Sequence, residues 1–179
     1  MSQLKAKVVV SELEETKTSY AGADLKHLSL SSSSLTGIDF AGADLSSSSI
    51  KYTSFTSCNL TGTQFVRGAL DGVAFIDCKV SMSTFMFSDV KGLTFRGCTL
   101  TDVDFREAHI RRMVFDDCSL ESLDLSGSEV TMEVDISTSR IGALTGVARI
   151  KGLVISETQL LVLAPFMAAE LGYRVKVSS

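Results

Sequence analysis

Large apolar side chains recur at every fifth residue across most of this chain. Between Tyr20 and Val130, each of the 23 positions whose number is a multiple of five carries Leu, Ile, Val, Phe or Tyr. A strand returns to the same face every two residues and a helix every 3.6, so neither fits a period of five. The pattern therefore predicts short extended segments, each followed by a bend that turns the next large residue inward.

Small residues and glycines set the phase within each five-residue unit. The residue two before each large one is mostly small or apolar, as at Ala23 and Ala43. Because alternate residues of an extended segment share a face, both members of such a pair should point inward. Eight of the thirteen glycines lie two residues after a large residue, which indicates a turn with positive φ at that point.

A second period of twenty residues indicates how many units form one coil. The four cysteines are twenty residues apart, and phenylalanine recurs every ten residues from Phe55 to Phe115. A coil with four sides predicts cysteines stacked along one side and phenylalanines along two opposite sides. Coils about 4.8 Å apart would bring stacked rings within the favourable distance between ring centroids. The large residues that alternate with phenylalanine are aliphatic, which keeps a narrow interior from being overfilled.

Three tripeptides carry a resemblance to a known family. They are Ala23-Asp24-Leu25, Ala43-Asp44-Leu45 and Cys58-Asn59-Leu60. This motif, repeated over residues 20–155, resembles that of the pentapeptide-repeat proteins. The resemblance implies an all-β solenoid, a right-handed quadrilateral parallel β-helix of pentapeptide repeats.

Both ends of the repeat are predicted to be covered, since an open β-helix end presents unpaired strand edges. Residues 1–19 are expected to form an N-terminal cap, with one strand followed by a charged bulge or short helical turn over residues 11–18. The β-helix is assigned to residues 20–155. Residues 156–179 are expected to form a C-terminal helix and a short strand over residues 173–177.

The five-residue register breaks after Val130. The inward pair becomes Val134 and Ile136, one residue late, and the original frame returns by Ile150. The interval from Val130 to Ile150 is still twenty residues. A one-residue bulge and a distorted side are therefore expected within one coil.

Residues 156–172 carry helix signals. Ser156 with Gln159 three residues later matches a capping box, and Gly172 suits the residue after the helix. Pro165 is expected to kink the helix or to split it in two. A stripe at helical spacing is expected to pack on the end of the solenoid, and comprises Leu160, Leu163, Ala164, Met167 and Leu171.

This segment is apolar beyond that stripe, and a helix apolar on more than one face is usually buried on more than one face. A second copy of the chain is the simplest partner, so a twofold dimer through residues 156–177 is predicted. The alternative is a monomeric cap that folds back fully. The predicted dimer interface comprises Leu160, Leu161, Leu163, Phe166, Met167, Leu171, Tyr173 and Val175.

Acidic residues gather in one segment. Residues 101–135 hold ten acidic residues and three arginines, a local charge of 3 − 10 = −7 in a chain whose total is −4. The acidity is thus confined to one band, which we interpret as a partner-binding surface. Its members are Asp102, Asp104, Glu107, Asp116, Asp117, Glu121, Asp124, Glu129, Glu133 and Asp135.

Three apolar residues fall at outward positions in the most regular part of the repeat, namely Met82, Met86 and Phe87. Apolar residues at outward positions need a reason, and a partner contact is one interpretation. The other interpretation is that they are chance apolar residues on the surface without a function.

Several kinds of chemistry lack support in the sequence. Inward-pointing cysteines twenty residues apart are most simply reduced core thiols, and no Cys-x-x-Cys pair suggests a metal site. His27 and His109 lie about four coils apart, so no hydrolase triad is predicted, and no cofactor motif is present. The missing catalytic motifs predict a non-enzymatic protein. The N-terminal residues lack an apolar targeting core, which predicts a cytoplasmic location.

The family resemblance implies a function. Several pentapeptide-repeat proteins bind DNA gyrase or topoisomerase IV as DNA mimics and protect the enzyme from quinolones or natural topoisomerase poisons. A C-terminal dimer would place two acidic bands on either side of the twofold axis, as a stripe suited to a basic DNA-binding surface. The uninterrupted repeat departs from members that carry loop insertions. The alternative is a structural or protein-interaction scaffold with an unrelated partner, while direct nucleic-acid binding lacks a basic stripe.

Overall fold

Each five-residue unit forms one side of a four-sided coil. The computed structural model describes residues 3–174, which form a parallel β-solenoid of about seven turns followed by one helix. Partner residues on successive coils are twenty apart, as in Val10↔Leu30 and Leu30↔Ile50. The predicted four-sided solenoid is therefore confirmed, and the twenty-residue period is its coil length.

Short strands form the sides, and they pair only with the coils before and after them. An eleven-stranded sheet and a five-stranded sheet result, and isolated bridges such as Asp24↔Asp44 continue the pairing on the remaining sides. The strands are β1 (Val9–Ser11), β2 (Glu14–Thr16), β3 (Ser29–Ser31), β4 (Ser34–Thr36), β5 (Ser49–Lys51), β6 (Ser54–Thr56), β7 (Ala69–Ile76), β8 (Lys79–Ser81), β9 (Asp89–Arg96), β10 (Thr99–Thr101), β11 (Val103–Asp104), β12 (His109–Asp116), β13 (Ser119–Asp124), β14 (Glu129–Asp135), β15 (Arg140–Thr145) and β16 (Leu153–Val154).

The large inward residues define four sides, which are numbered here for reference. Side 1 carries Leu25, Leu45, Phe65, Phe85, Phe105 and Leu125. Side 2 carries Leu30, Ile50, Leu70, Val90 and Ile110. Side 3 carries Leu35, Phe55, Phe75, Phe95, Phe115 and Ile136. Side 4 carries Tyr20, Phe40, Leu60, Val80, Leu100 and Leu120.

The phenylalanines form two stacks through the interior, as predicted. Rings on one side lie parallel with centroids 4.5 Å apart for Phe85 and Phe105 and 5.1 Å apart for Phe75 and Phe95. The two stacks meet edge to face, with 6.2 Å between the centroids of Phe85 and Phe95. Both arrangements are favoured by the quadrupole of the ring, so the aromatic column supports the coil spacing.

The residue two after each large inward residue lies at the corner between two sides. In most units this corner residue has a left-handed φ, whether or not it is glycine. Seven glycines two residues after a large residue have positive φ, and fifteen other residues at the same phase do so as well. The glycine turn is therefore confirmed, but the corner tolerates side chains. Gly92 and Arg112 are exceptions without positive φ, and both lie inside eight-residue strands that continue through the corner.

The N-terminal segment continues the coil. β1 and β2 pair in register with the following coil, including Glu15↔Leu35, so the charged bulge or helical turn predicted there is wrong. Glu15 occupies an inward position without breaking the strand because its carboxylate accepts a 2.7 Å hydrogen bond from the Tyr20 hydroxyl. That hydroxyl in turn accepts hydrogen bonds from the backbone amides of Gln3 and Leu4.

The register shift after Val130 is confirmed. Ile110 pairs with Val130, but Arg112 pairs with Glu133, so one residue is inserted between them. Val134 then pairs with Leu153, nineteen residues on, which restores the frame. A 3-10 helix over residues 147–149 forms the distorted side. It makes Val147 the buried residue there.

One helix, α1 (Glu157–Glu170), covers the C-terminal end. Ser156 caps it with the predicted capping box, and Gly172 follows with φ of 77°. The helix continues through Pro165, so of the two predicted outcomes, a kink or a split, the split is wrong. Pro165 has no N–H to bond the carbonyl of Leu161. Because Leu161 is on the exposed side of the helix, water can bond that carbonyl instead.

Polar side chains of α1 replace the hydrogen bonds of a further coil. Gln159 is buried, and its amide nitrogen donates to the carbonyl oxygens of Ile136 and Ser139 at 2.6 and 2.7 Å. The carboxylate of Glu170 accepts from the backbone amides of Gly146 and Ala148 at 2.6 and 2.9 Å. The last coil is therefore closed by side chains, since buried backbone groups need partners.

Candidate functional site

The acidic band surrounds the solenoid. Its members lie on all four sides and at the corners between them, because successive outward positions face different directions around the coil. Asp104 and Asp124 project from side 1, Asp116 from side 3 and Glu121 from side 4. The structure thus brings the ten residues to one end of the rod but not to one face.

Half of the carboxylates in the band contact a basic side chain. Arg106 contacts both Asp104 and Asp124, at 2.7 and 3.8 Å, and these carboxylates raise the pKa of Arg106, mainly through hydrogen bonding to Asp104. The other ion pairs are Arg96–Asp116 and Arg112–Glu133, and the imidazole Nδ1 of His109 lies 3.3 Å from the Glu129 carboxylate. These contacts are exposed and contribute little to stability, but they reduce the local negative charge.

Five carboxylates of the band have no cationic side chain within 4 Å in the described part of the chain. Glu121 accepts a hydrogen bond from Thr101, and Asp135 from Ser137. Asp102, Glu107 and Asp117 all occupy left-handed corner positions. All three corner residues are exposed, so their carboxylates are accessible charges of the band.

Helix α1 buries a narrower side than predicted. Gln159 and Leu163 are buried and Met167 is partly buried against the solenoid. Leu163 was predicted to lie in the dimer interface, and that is wrong because it is fully buried within its own chain. Leu160 and Leu171 belong to the exposed surface, so they do not form the packing stripe predicted for them.

The rest of α1 is apolar and exposed. Leu161 is 77% exposed and lies two residues, about 200°, from the buried Leu163. Leu160, Phe166, Leu171 and Tyr173 are exposed as well. Val175, also assigned to the interface, lies outside the described residues, as does most of the strand predicted over residues 173–177.

The three outward apolar residues of the repeat occupy one side. Met82 and Phe87 stand at the two corners of side 1, 64% and 45% exposed, and both have positive φ. Met86 lies between them on the same side and is partly buried. The guanidinium of Arg67 lies 5.4 Å from the centroid of the Phe87 ring, within cation–π range.

The cysteines form the predicted column of free, buried thiols. The amide of Cys58 donates to the sulfur of Cys78 at 3.4 Å, and the amide of Cys78 donates to the sulfur of Cys98 at 3.3 Å. Hydrogen bonds with Cys58 and Cys98, together with burial, raise the pKa of Cys78. The hydrogen bond with Cys98 and burial likewise raise the pKa of Cys118, whereas hydrogen bonds with neighbouring cysteines lower the pKa of Cys58 and of Cys98.

No helix within residues 3–174 has the length and apolar character needed to cross a membrane. The same residues contain no cluster of three or more potential metal ligands. A cleft of about 480 Å³ lies between Leu125, Arg149 and Glu170 at the junction with α1. Glu170 is held there by two backbone amides, so its carboxylate has a structural role.

These features define a repeat solenoid with a filled interior, whose candidate functional groups lie on its outer surface and C-terminal helix. Residues 28–105 match the family described as "Pentapeptide repeat region", and residues 94–131 match "Pentapeptide repeats (8 copies)". The chain belongs to the pentapeptide-repeat proteins. Members of this family are generally structural or protein-binding.

Three solved structures are among those to which the chain is similar. HetL of Nostoc sp. strain PCC 7120, involved in heterocyst differentiation regulation, is 17% identical, with 84% of each chain covered and a TM-score of 0.30. QnrB1, a plasmid-mediated fluoroquinolone resistance protein, is 18% identical, with 92% of this chain and 100% of that chain covered and a TM-score of 0.32. Rfr23 of Cyanothece 51142 is 12% identical, with 84% and 90% covered and a TM-score of 0.30. The search of curated proteins returned no match.

Proposed function

We propose that this protein is a non-enzymatic DNA mimic that binds a type II topoisomerase, DNA gyrase or topoisomerase IV, and protects it from quinolones or natural topoisomerase poisons. The observation that carries the proposal is the set of accessible carboxylates at the corners of the last coils, represented by Asp102, Glu107 and Asp117. A DNA-binding surface presents cations to phosphates. Corner carboxylates that lack ion partners present the matching charge on a rod.

A dimer through α1 completes the proposal. In a single chain the helix leaves Leu161 and Phe166 exposed on the side away from the solenoid, and a second copy would cover them. Two acidic ends would then meet at the centre of a longer rod. In each chain the band follows coils without net charge and precedes a last coil that carries Arg140, Arg149 and Lys151, so the two negative bands would flank the middle of the dimer.

The dimer is tested by the mass of the protein in solution. Leu161→Asp and Phe166→Asp should give soluble monomers in size-exclusion chromatography with light scattering, because a carboxylate would be buried in the interface. Thr158→Asp, on the polar first turn of α1, is the matched control and should remain dimeric. A monomeric wild-type protein at micromolar concentration removes the dimer from the proposal.

The main test is DNA supercoiling by purified gyrase, with and without a fluoroquinolone. The protein should inhibit supercoiling or protect the enzyme from the drug. Replacing Asp102 and Glu107 by lysine should abolish the effect. Lysine suits the left-handed corner, since Lys7 and Lys17 adopt it. Replacing Glu12 and Glu14 by lysine makes the same charge change at the far end and should have no effect.

An inactive wild-type protein, at tens of times the gyrase concentration, would refute the gyrase proposal. Equal losses in the two double-lysine variants would show a general charge effect and would also contradict it.

The second candidate is a scaffold with an unrelated protein partner, bound through side 1. The observation that favours it is the pair Met82 and Phe87, two large apolar residues at exposed left-handed corners. The left-handed φ is shared by the other non-glycine corners, so what distinguishes this pair is the exposure of two large apolar side chains on one side. This candidate predicts no effect on gyrase in the supercoiling assay, and a partner whose binding is lost in Phe87→Ser but kept in Asp102→Lys.

A further inference from the structure

The corner between sides 2 and 3 differs from the other corners over three successive coils. β7, β9 and β12 run through it as continuous eight-residue strands. The pairing of β7 with β9 shifts around Asp71, and the corner residues Gly92 and Arg112 lack positive φ. A groove of about 390 Å³ lies along this corner, which we call the corner groove.

Two side chains are missing from the column of corner residues that borders the groove. In successive coils this column reads Tyr52, Gly72, Gly92 and Arg112. The Tyr52 ring leans over Gly72, where an added Cβ would lie 2.9 Å from a ring carbon. The floor beside the two glycines is small or apolar and includes Ala74, Thr94 and Val114.

Gly92 is not required by the backbone. Its φ is outside the left-handed region, and an added Cβ would be no closer than 3.5 Å to any atom, an ordinary van der Waals contact. Gly72 differs, because its φ is 64°. Glycine weakens a strand, and one inside a strand often marks a place where a ligand or another backbone approaches closely. Gly92 keeps the groove open without a structural need to be glycine.

Two cations that are not ion-paired lie on side 2, next to the corner residues of the groove, and the Arg111 guanidinium contacts the sulfur of Met132 at 3.2 Å. Lys91 directly precedes Gly92, and Arg111 lies one coil on, since Val90 pairs with Ile110. Neither has a carboxylate within 4 Å in residues 3–174.

Paired arginines complete the border. Arg96 and Arg112 pair with Asp116 and Glu133, yet their side chains remain 61% and 59% exposed. Asp71 is the other acidic residue at the rim. Four cations therefore face three carboxylates here, in a chain that is acidic overall.

We propose that the corner groove binds an extended segment of a partner protein, in which small apolar side chains are flanked by carboxylates. The apolar residues would lie on the floor at Gly92 and Val114, and the carboxylates would face Lys91 and Arg111. A polypeptide fits better than a nucleic acid because the floor is apolar and half of the cations are already paired. This surface is separate from the corner carboxylates, so the inference does not rest on the gyrase proposal.

A designed peptide tests the groove. The probe is fluorescein-Gly-Glu-Asp-Val-Ala-Val-Asp-Glu-Gly, measured by fluorescence anisotropy with the full chain at about 50 mM salt, where charge contacts are weakly screened. Two comparison peptides replace the acidic residues by lysine or the apolar centre by serine. The acidic apolar peptide should bind at least about tenfold more tightly than either, a difference of about 1.4 kcal/mol.

Variants then locate the site. Gly92→Leu should fill the groove and weaken binding at least about tenfold, while Gly92→Ala should weaken it less. The double variant Lys91→Glu, Arg111→Glu should also lose binding. Lys79→Glu, an exposed lysine on side 4, is the matched charge control and should bind as the wild type does. Far-ultraviolet circular dichroism and a melting curve establish that each variant is folded.

Three results would overturn the proposal. One is equal affinity for the acidic and lysine peptides. Another is undiminished binding in the charge-reversed variant, which applies even if Gly92→Leu does not fold. The third is a DNA duplex that displaces the peptide and binds more tightly, which would make the groove a nucleic-acid surface.

Discussion

Replacing Gln159 by leucine tests how the C-terminal end of the solenoid is held. The Gln159 amide nitrogen donates to the carbonyl oxygens of Ile136 and Ser139, and its amide oxygen accepts from the backbone amide of Ser156 at 2.8 Å. The side chain is 7% exposed. Leucine has a similar volume and fills the same space, so the change removes the three hydrogen bonds and leaves the packing nearly unchanged.

The expected cost follows from which groups lose their partners. The carbonyl of Ile136 keeps a bond from the amide of Ser139 at 3.0 Å, whereas the Ser139 carbonyl is left without its donor. A net hydrogen bond contributes about 1 kcal/mol, and an abandoned buried group costs about 1–3 kcal/mol. We expect a loss of about 3 kcal/mol. That lowers the melting temperature by roughly 6–12 °C if unfolding is cooperative.

Hydrogen exchange distinguishes local release of α1 from global unfolding. A cap that detaches alone should speed exchange in the amides of α1 by about two orders of magnitude, since 1.4 kcal/mol is a factor of ten. Thr158→Ala removes an exposed hydroxyl from the neighbouring position and should change stability by less than about 0.5 kcal/mol. The reasoning is refuted if Gln159→Leu has the same melting temperature as Thr158→Ala and its α1 amides exchange as slowly as those of the wild type.

The companion variant Gln159→Glu adds a pH dependence. Its second carboxyl oxygen would face two carbonyl oxygens, so the folded state would favour the protonated form and raise the pKa of the introduced carboxyl. A raised acid pKa means that stability is retained below the unfolded pKa of about 4.3 and is lost as the pH rises through the folded value. The variant should therefore melt closer to the wild type at pH about 4 than at pH 7, and a pH-independent difference would contradict this assignment.

The remaining predictions concern the core, the corners and the N-terminal coil. Phe85→Ala opens a cavity within the aromatic column and should cost about 3–5 kcal/mol in denaturant unfolding, against about 1.5 kcal/mol or less for Phe85→Leu. Gly152→Ala should cost more than about 2 kcal/mol, because its φ is 79° and the new Cβ would lie 2.2 Å from a backbone oxygen; Gly92→Ala should be neutral or stabilising by the same measurement. Burial, with the hydrogen bond to Glu15, raises the pKa of Tyr20. The stability that Tyr20 contributes is therefore complete below pH about 10 and is lost as the pH rises through the folded pKa. Hydrogen exchange of the amides in the first coil should accelerate over that pH range. Tyr20→Phe should remove this pH dependence.

Inward positions were predictable because the interior repeats. Every coil places the same two residues of each side against the coils before and after it, so the spacing of Phe55, Phe75 and Phe95 reports their stacking directly. The one-residue insertion after Val130 was readable for the same reason, because it displaced the inward pair to Val134 and Ile136. Capping by Ser156 was also predictable, since the capping box is a local interaction.

The ends were less predictable because they do not repeat. Glu15 breaks the pattern of large residues and suggested a bulge, but one hydrogen bond from Tyr20 accommodates it within the coil. Spacing alone gave no basis for choosing which of the apolar residues of α1 face the solenoid. Gln159 and Glu170 decide this, since their side chains must reach the unpaired backbone groups of the last coil, and this turns Leu163 inward and Leu161 outward.

The sequence by itself determined the coil, its four sides, the filled interior and the place where the register changes. It could do so because each inward residue packs against the equivalent residue of the next coil, and this stacking appears in the sequence as a period. The tertiary structure alone decided how the outward residues are combined. Neighbours on the surface are twenty residues apart, so the pairing of Arg106 with Asp124 and the opening beside Gly92 depend on which side chains successive coils bring together. The acidic band was visible as composition, and only the fold distributes it around the rod and leaves Asp102 and Glu107 accessible.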